Sequence, residues 1–302
     1  MSELAGIFLN AMLPIFLIAG AGYLVGKWLK IDPRSVSQMV FYLFSPCLVF
    51  TLLTENQLTG NDIFRMIGFA ALIAIITGAL ALFVGRVFKL ERSIVVVILL
   101  TTIFSNVGNY GLPLNLFAFG EQALAHATLY FVTNLILLNT LGVVIASMGN
   151  TSFKESLIRL VKFPSSYALV AAILFSQLHW RLPEPLVRTV NLLGDATIPS
   201  MLVVLGLQFQ TASWRGNILA LSFSNIIRLL VSPALAFGLC ILFGLKGVAR
   251  QAGILESAMP SAVLASILAT EFNVQPALVT TVVFISTVLS PLTLIPLVAY
   301  LR

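Results

Sequence analysis

The stretches Ser105-Asn106-Val107-Gly108-Asn109-Tyr110-Gly111-Leu112-Pro113 and Glu256-Ser257-Ala258-Met259-Pro260-Ser261 decide how this chain reads. Each lies near the middle of an apolar run long enough to cross a bilayer, and each puts polar residues and a proline where lipid would surround them. A proline removes one backbone donor, and its ring clashes with the preceding turn. A helix broken there exposes amides and carbonyls, which hydrocarbon tolerates only where they line a cavity or meet an ion or solute. Two interrupted helices in corresponding halves of a chain point to the binding site of a carrier. The expectation is one site where the breaks meet, with Pro113 and Pro260 in equivalent positions.

Composition leaves no water-soluble reading of the whole chain. Of 302 residues, 9% are charged and 59% hydrophobic, and the mean hydropathy is +1.03. A soluble domain carries roughly 25% charged residues. The net charge of +6 comes from 17 Lys and Arg scattered between apolar runs. That is a membrane-topology pattern rather than a nucleic-acid-binding face. Cys47 and Cys240 fall inside apolar runs and read as small buried hydrophobes, with no disulfide framework or metal-ligand spacing. Residues 4 to 28 lack a basic leader and a small-residue cleavage site, and so read as a retained helix. The absence of a His-rich cluster, a nucleophile elbow and paired catalytic carboxylates argues against an enzyme.

A span needs about 20 mostly apolar residues. That rule predicts an all-α membrane protein with ten helices, near 4–28, 35–54, 63–88, 93–119, 123–148, 163–179, 185–209, 217–243, 248–271 and 276–301. Polar punctuation such as Asp32-Pro33, Thr59-Gly60-Asn61-Asp62 and Leu182-Pro183-Glu184-Pro185 separates them. Prolines 46 and 199 are 153 positions apart and prolines 113 and 260 are 147 apart, the near-constant offset a duplication would leave. The halves are then 1–148 and 163–302, joined by a linker at 149–162. Five helices per half would insert the second copy upside down, as in carriers that alternate access. Loops after the first, third and fifth helices hold Lys27, Lys30, Arg34, Arg86, Lys89, Arg92, Lys154, Arg159 and Lys162. These loops are expected inside, and both termini outside.

Ionisable groups within spans mark functional sites by default. Asp195 and Arg228 fall at similar depth at about 1.5 Å per residue. They are expected either to neutralise each other as a structural ion pair, or to leave Arg228 partly free to attract an anion. Glu256, one turn before Pro260, could hold Na⁺ with nearby carbonyls, carry a proton, or hydrogen-bond a neighbouring hydroxyl. Ser105, Asn106 and Met259 are candidate partners for that cation. Asn106 and Asn109 can bind a polar ligand or cap a broken helix, and Gly108 and Gly111 permit close backbone approach. Pro113, Pro260, Ser261 and Val49 complete the candidate substrate pocket, with Leu205 another apolar residue that could shape it. His126 and Asn134 are weaker candidates.

These motifs resemble the auxin efflux carrier family, which includes the plant PIN carriers. The run from Asn106 through Gly111-Leu112-Pro113-Leu114 is similar to the family's fourth-helix pattern. Ala258-Met259-Pro260 through Glu271-Phe272-Asn273-Val274 is similar to its ninth-helix pattern, and the stretches around Asp195 and Ile227-Arg228-Leu229 also look familial. The resemblance implies two inverted five-helix repeats, with a scaffold of helices 1, 2, 6 and 7. Helices 3–5 and 8–10 would form a transport domain in which helices 4 and 9 cross. It further implies elevator-like movement, a homodimer and a small organic anion, auxin-like or another mono- or dicarboxylate, as substrate. The chain lacks the long insertion the plant carriers have between helices five and six, which suits a prokaryotic member. It also has Glu256 where they typically place Gln. Glu256-Ser257-Ala258-Met259 is similar to the sodium-site segment of the bile acid sodium symporters, a related fold, and favours coupling to Na⁺ or H⁺. A cation/proton antiporter with no organic substrate is the alternative, although it would want paired carboxylates at the crossing.

Overall fold

The computed structural model describes residues 3–56, 58–147, 164–178, 180, 182–211 and 217–302. The linker expected at 149–162 lies outside the described residues. The helices are α1 (Leu4–Leu29), α2 (Pro33–Glu55), α3 (Gly60–Val87), α4 (Arg92–Ile103), α5 (Leu112–Phe119), α6 (Glu121–Ala146), α7 (Pro164–Gln177), α8 (Glu184–Gln208), α9 (Ile218–Leu242), α10 (Gly247–Ser257), α11 (Val263–Glu271) and α12 (Pro276–Leu301). Among the described residues seven of these, α1, α2, α3, α6, α8, α9 and α12, are long and apolar enough to cross a membrane. The runs at 93–119 and 248–271, expected as interrupted spans, are each split in two. The protein is thus an all-helical, multi-pass membrane protein.

The helix ends follow the polar punctuation. Asp32 accepts from the amides of Arg34 and Ser35 at 3.1 and 3.2 Å and starts α2. Thr59 and Asp62 form a reciprocal capping box at α3, and Asn217 caps α9. Each cap satisfies amides that the first helical turn would otherwise leave unbonded.

Prolines act differently from the expectation. A five-residue π-helical turn directly precedes Leu13-Pro14, Ser45-Pro46, Leu112-Pro113 and Ser232-Pro233. In a π-turn the bonds reach one residue further than in an α-helix. The chain thereby goes around the missing proline donor and the ring clash without breaking. Pro113 is accordingly not at a break. The fourth span parts earlier, at Phe104-Ser105-Asn106, and only Pro260 lies in a break itself, between α10 and α11. The two prolines are therefore not structurally equivalent. Ser105 and Ser261, which form an isolated antiparallel bridge, are the residues brought face to face.

Helices α1, α2, α7 and α8 pack on one another, α8 on α1 and α7 on α2 most extensively. Of the remaining helices, α3, α6, α9 and α12 pack on α4, whose residues from Val96 to Ile103 are all buried. A helix apolar on every side belongs in such an interior position. The turn Val107–Gly111 touches α8 and so lies where the two groups meet.

Candidate functional site

The two breaks satisfy much of their exposed backbone on each other. The Asn106 amide donates to Pro260 O at 2.7 Å and the Ala262 amide to Phe104 O at 2.9 Å. Ser261 Oγ donates to Thr101 O at 2.7 Å, while its amide donates to Ser286 Oγ at 3.1 Å. Hydrocarbon thus meets few free backbone groups at the crossing. What remains unpaired is side-chain chemistry.

On one side of the bridge, Ser105, Asn106, Gly108, Asn109 and Asn134 line a narrow cavity of about 10 Å³, closed by Phe41, Phe131 and Leu138. Asn106 Nδ2 and Asn109 Oδ1 are buried there with no hydrogen-bond partner, one donor and one acceptor. Phe41 and Phe131 stack with ring centroids 6.4 Å apart. Phe41, Leu138 and Leu264 also form walls of a cavity of about 420 Å³ whose mouth carries Arg34 and Glu271. That larger volume is in the range of small-molecule sites. A third cavity, of about 340 Å³, is lined by Glu55, Glu121 and Asp195 and shares no wall with the narrow one.

On another side lies Glu256, fully buried. Its Oε1 accepts from Asn115 Nδ2 at 2.8 Å, and the same Nδ2 donates to Gly111 O at 3.0 Å. Glu256 Oε2 and Asn115 Oδ1 are left without partners. A Cβ at position 111 would collide with Oε2, so glycine is what lets the carboxylate lie against the π-turn. Two orphan oxygens on one buried pair suit a hard cation, which prefers oxygen ligands, or a proton on the carboxylate.

Arg228 occupies the centre. Its Nη1 donates to Thr102 O at 2.8 Å, and Nη2 donates to Ser232 Oγ at 2.9 Å and to Ser257 O. Glu256 and Tyr130 are close enough to interact with it electrostatically. The ion pair expected between Arg228 and Asp195 is not formed. Asp195 is exposed on the wall of the 340 Å³ cavity, and Arg228 is fully buried against the two half-helix ends. Equal depth along two helices carries no information about which way their faces point.

Other expected residues scatter around this centre. Asn106, Asn109, Gly108 and Ser105 line the narrow cavity; Pro113, Pro260, Ser261 and Val49 are buried outside its walls. Met259 packs in an apolar cluster with Tyr110 and Leu205. His126 is half-buried with Nδ1 unpaired and lines neither the narrow cavity nor the larger one beside it. The sequence reading missed Asn115, which stood four residues after Gly111 as a polar residue in an apolar run, and missed Phe41, which carried no signal.

The family model described as membrane transport protein matches residues 7–298. An uncharacterized transporter of Methanothermobacter thermautotrophicus is 25% identical over 286 residues, covering 93% of this chain and 94% of that protein. Another, from Methanocaldococcus jannaschii, is 25% identical over 293 residues, covering 93% and 95%. The auxin efflux carrier component 3 of Arabidopsis thaliana is 28% identical over 146 residues, covering 45% of this chain and 22% of that protein. With its fourth- and ninth-span motifs crossing as described, the chain belongs to the membrane transport protein family, the auxin efflux carrier-like group.

Proposed function

We propose that this transporter is a secondary carrier of a small organic anion, a mono- or dicarboxylate, at the cell membrane. The observation that carries the reading is the pair Asn106 Nδ2 and Asn109 Oδ1, buried without partners on a cavity that adjoins a larger one of about 420 Å³. An unpaired buried donor is costly, and a carboxylate would satisfy it. In this reading two inverted five-helix repeats make one carrier. Helices α3–α6 and α9–α12 move as an elevator against α1, α2, α7 and α8, and the packing into those two groups supports that division. The resemblance to auxin efflux carriers supports a homodimer.

Coupling is assigned to Glu256, by Na⁺ or by H⁺. The support is the orphan pair Glu256 Oε2 and Asn115 Oδ1, which fits either ion. A cation/proton antiporter would set a second carboxylate beside Glu256, and the charged neighbour there is Arg228. The test is uptake of radiolabelled organic acids into proteoliposomes of purified protein, with and without Na⁺ and a pH gradient. Saturable uptake of a carboxylate that either ion gradient stimulates is expected. Na⁺/H⁺ exchange with no acid bound or moved would replace this reading with the antiporter.

A further inference from the structure

The last carbonyls of a helix carry a partial negative charge and have no partner within it. At the crossing two such ends converge: Thr102 is the second-last residue of α4, and Ser257 is the last of α10. Around them Ile254 O and Leu255 O accept from the Ala258 amide, Glu256 O from the Met259 amide, and Thr101 O from Ser261 Oγ. Thr102 O and Ser257 O receive Arg228 instead, from a third helix, α9. Ser232, one turn further along α9, donates to Ser257 O at 2.7 Å and accepts from Nη2 at 2.9 Å, which fixes the planar guanidinium in place. The Glu256 carboxyl group lies within electrostatic range.

We propose that Arg228 is a positioning residue that serves as the resident cation of the crossing. Its guanidinium joins the converging ends of α4 and α10 to α9 and balances Glu256. A bare metal ion could meet the same two carbonyls. Arg228 fills that role permanently and travels with the protein, so an exchangeable ion beside it would meet Glu256 Oε2 and Asn115 Oδ1, which Arg228 leaves unpaired. For its transport consequence, one coupling cation per cycle, the inference rests on the reading above; for its structural content it does not.

The test uses the full chain in detergent and in proteoliposomes. Arg228→Met keeps the side-chain length and removes the charge, leaving two carbonyl ends facing each other and Glu256 unbalanced. Its melting temperature should fall by roughly 5–10 °C, as expected when one partner of a buried charged network is lost. Arg228→Lys should fall less. Millimolar guanidinium chloride should recover at least half of the Met variant's loss, choline chloride at the same ionic strength none, and the wild type should respond to neither. Adding Glu256→Gln to Arg228→Met should also recover stability, because the second charge goes with the first. In proteoliposomes the guanidinium-restored variant should regain its maximal rate at unchanged KM, since Arg228 does not touch substrate. A Met variant as stable as wild type, guanidinium no better than choline, or a double variant no more stable than the single one would each overturn the proposal. Should Arg228→Met not accumulate, failure of the double variant to accumulate counts in the same way. If the wild type moves no organic anion, the carrier reading fails while the melting temperatures still decide the role of Arg228.

Discussion

Asn106 ends the break in the fourth span and Asn109 lies in the π-turn that follows, and their side chains offer opposite chemistry to the same narrow space, a donor from one and an acceptor from the other. Replacing Asn106 by Ala removes the donor and leaves its backbone pairing with Pro260 untouched. Substrate affinity should drop about 10- to 100-fold, the value of one or two hydrogen bonds to a charged group. Equilibrium binding on the purified variant checks this, with an unchanged melting temperature as control; unchanged affinity removes Asn106 from the site. Glu256→Gln preserves an Oε1 that still accepts from Asn115 and removes the charge that a cation would meet. Coupling between cation and substrate, typically about 1–3 kcal/mol, should vanish, so that substrate binds the variant equally with and without Na⁺ or across pH. A variant that keeps the wild-type dependence puts coupling elsewhere. Both residues were legible in the sequence because a polar side chain in an apolar run carries its own signal. Two of the hydrogen-bond partners of Arg228 were not: they are main-chain carbonyls of two other helices, and only the way those helices cross selects them.

At the scale of the element, caps and breaks differ in how much of them can be read from residues. Asp32, Thr59 with Asp62, and Asn217 start helices where their types predict, since a cap is a local bond between neighbours. The break in the fourth span was misplaced because the proline rule ignores the π-turn. Four prolines in this chain follow one, and the helix continues through each. Contact between α1 and α8 shows another non-local feature. A Cβ at Gly206 would overlap the backbone of Ala19 and Tyr23, and one at Gly22 the backbone of Val203, so each helix offers a glycine to the other's main chain. Small residues are what let helices approach this closely in lipid. Gly206→Ala should therefore destabilise the detergent-solubilised protein by about 1–3 kcal/mol, because main chain cannot swing aside as a side chain can. Gly238→Ala on α9, with open space at that position, is the control and should stay within about 0.5 kcal/mol. Equal melting temperatures for the two variants would mean that the α1–α8 seam is looser than its geometry.

At the scale of the whole molecule, the basic residues of the first half of the chain concentrate at one end. One end carries Arg34 at the mouth of the cavity that adjoins the crossing, with Arg86 at the end of α3, Lys89 in the connection that follows and Arg92 at the start of α4. The opposite cavity is lined by Glu55, Glu121 and Asp195, with no Lys or Arg in its wall. Basic connections stay on the cytoplasmic side during insertion, while acidic ones contribute little to orientation. By that argument the Arg34 end is expected inside and both chain termini outside. With that orientation the larger cavity beside the crossing would open toward the cytoplasm, the side from which an exported anion would enter. The alternation of apolar run and polar connection made the spans legible, whereas the depth of a residue never told which neighbours it faced, as Asp195 and Arg228 show. Orientation can be measured with single cysteines introduced after replacing Cys47 and Cys240. Lys89→Cys lies in the α3–α4 connection, and Gln122→Cys lies beside Glu121 at the start of α6; both positions are exposed. In intact cells an impermeant maleimide should label position 122 and leave position 89 untouched until the membrane is opened. The reverse pattern would turn the molecule over, and with it the direction from which the larger cavity takes its substrate.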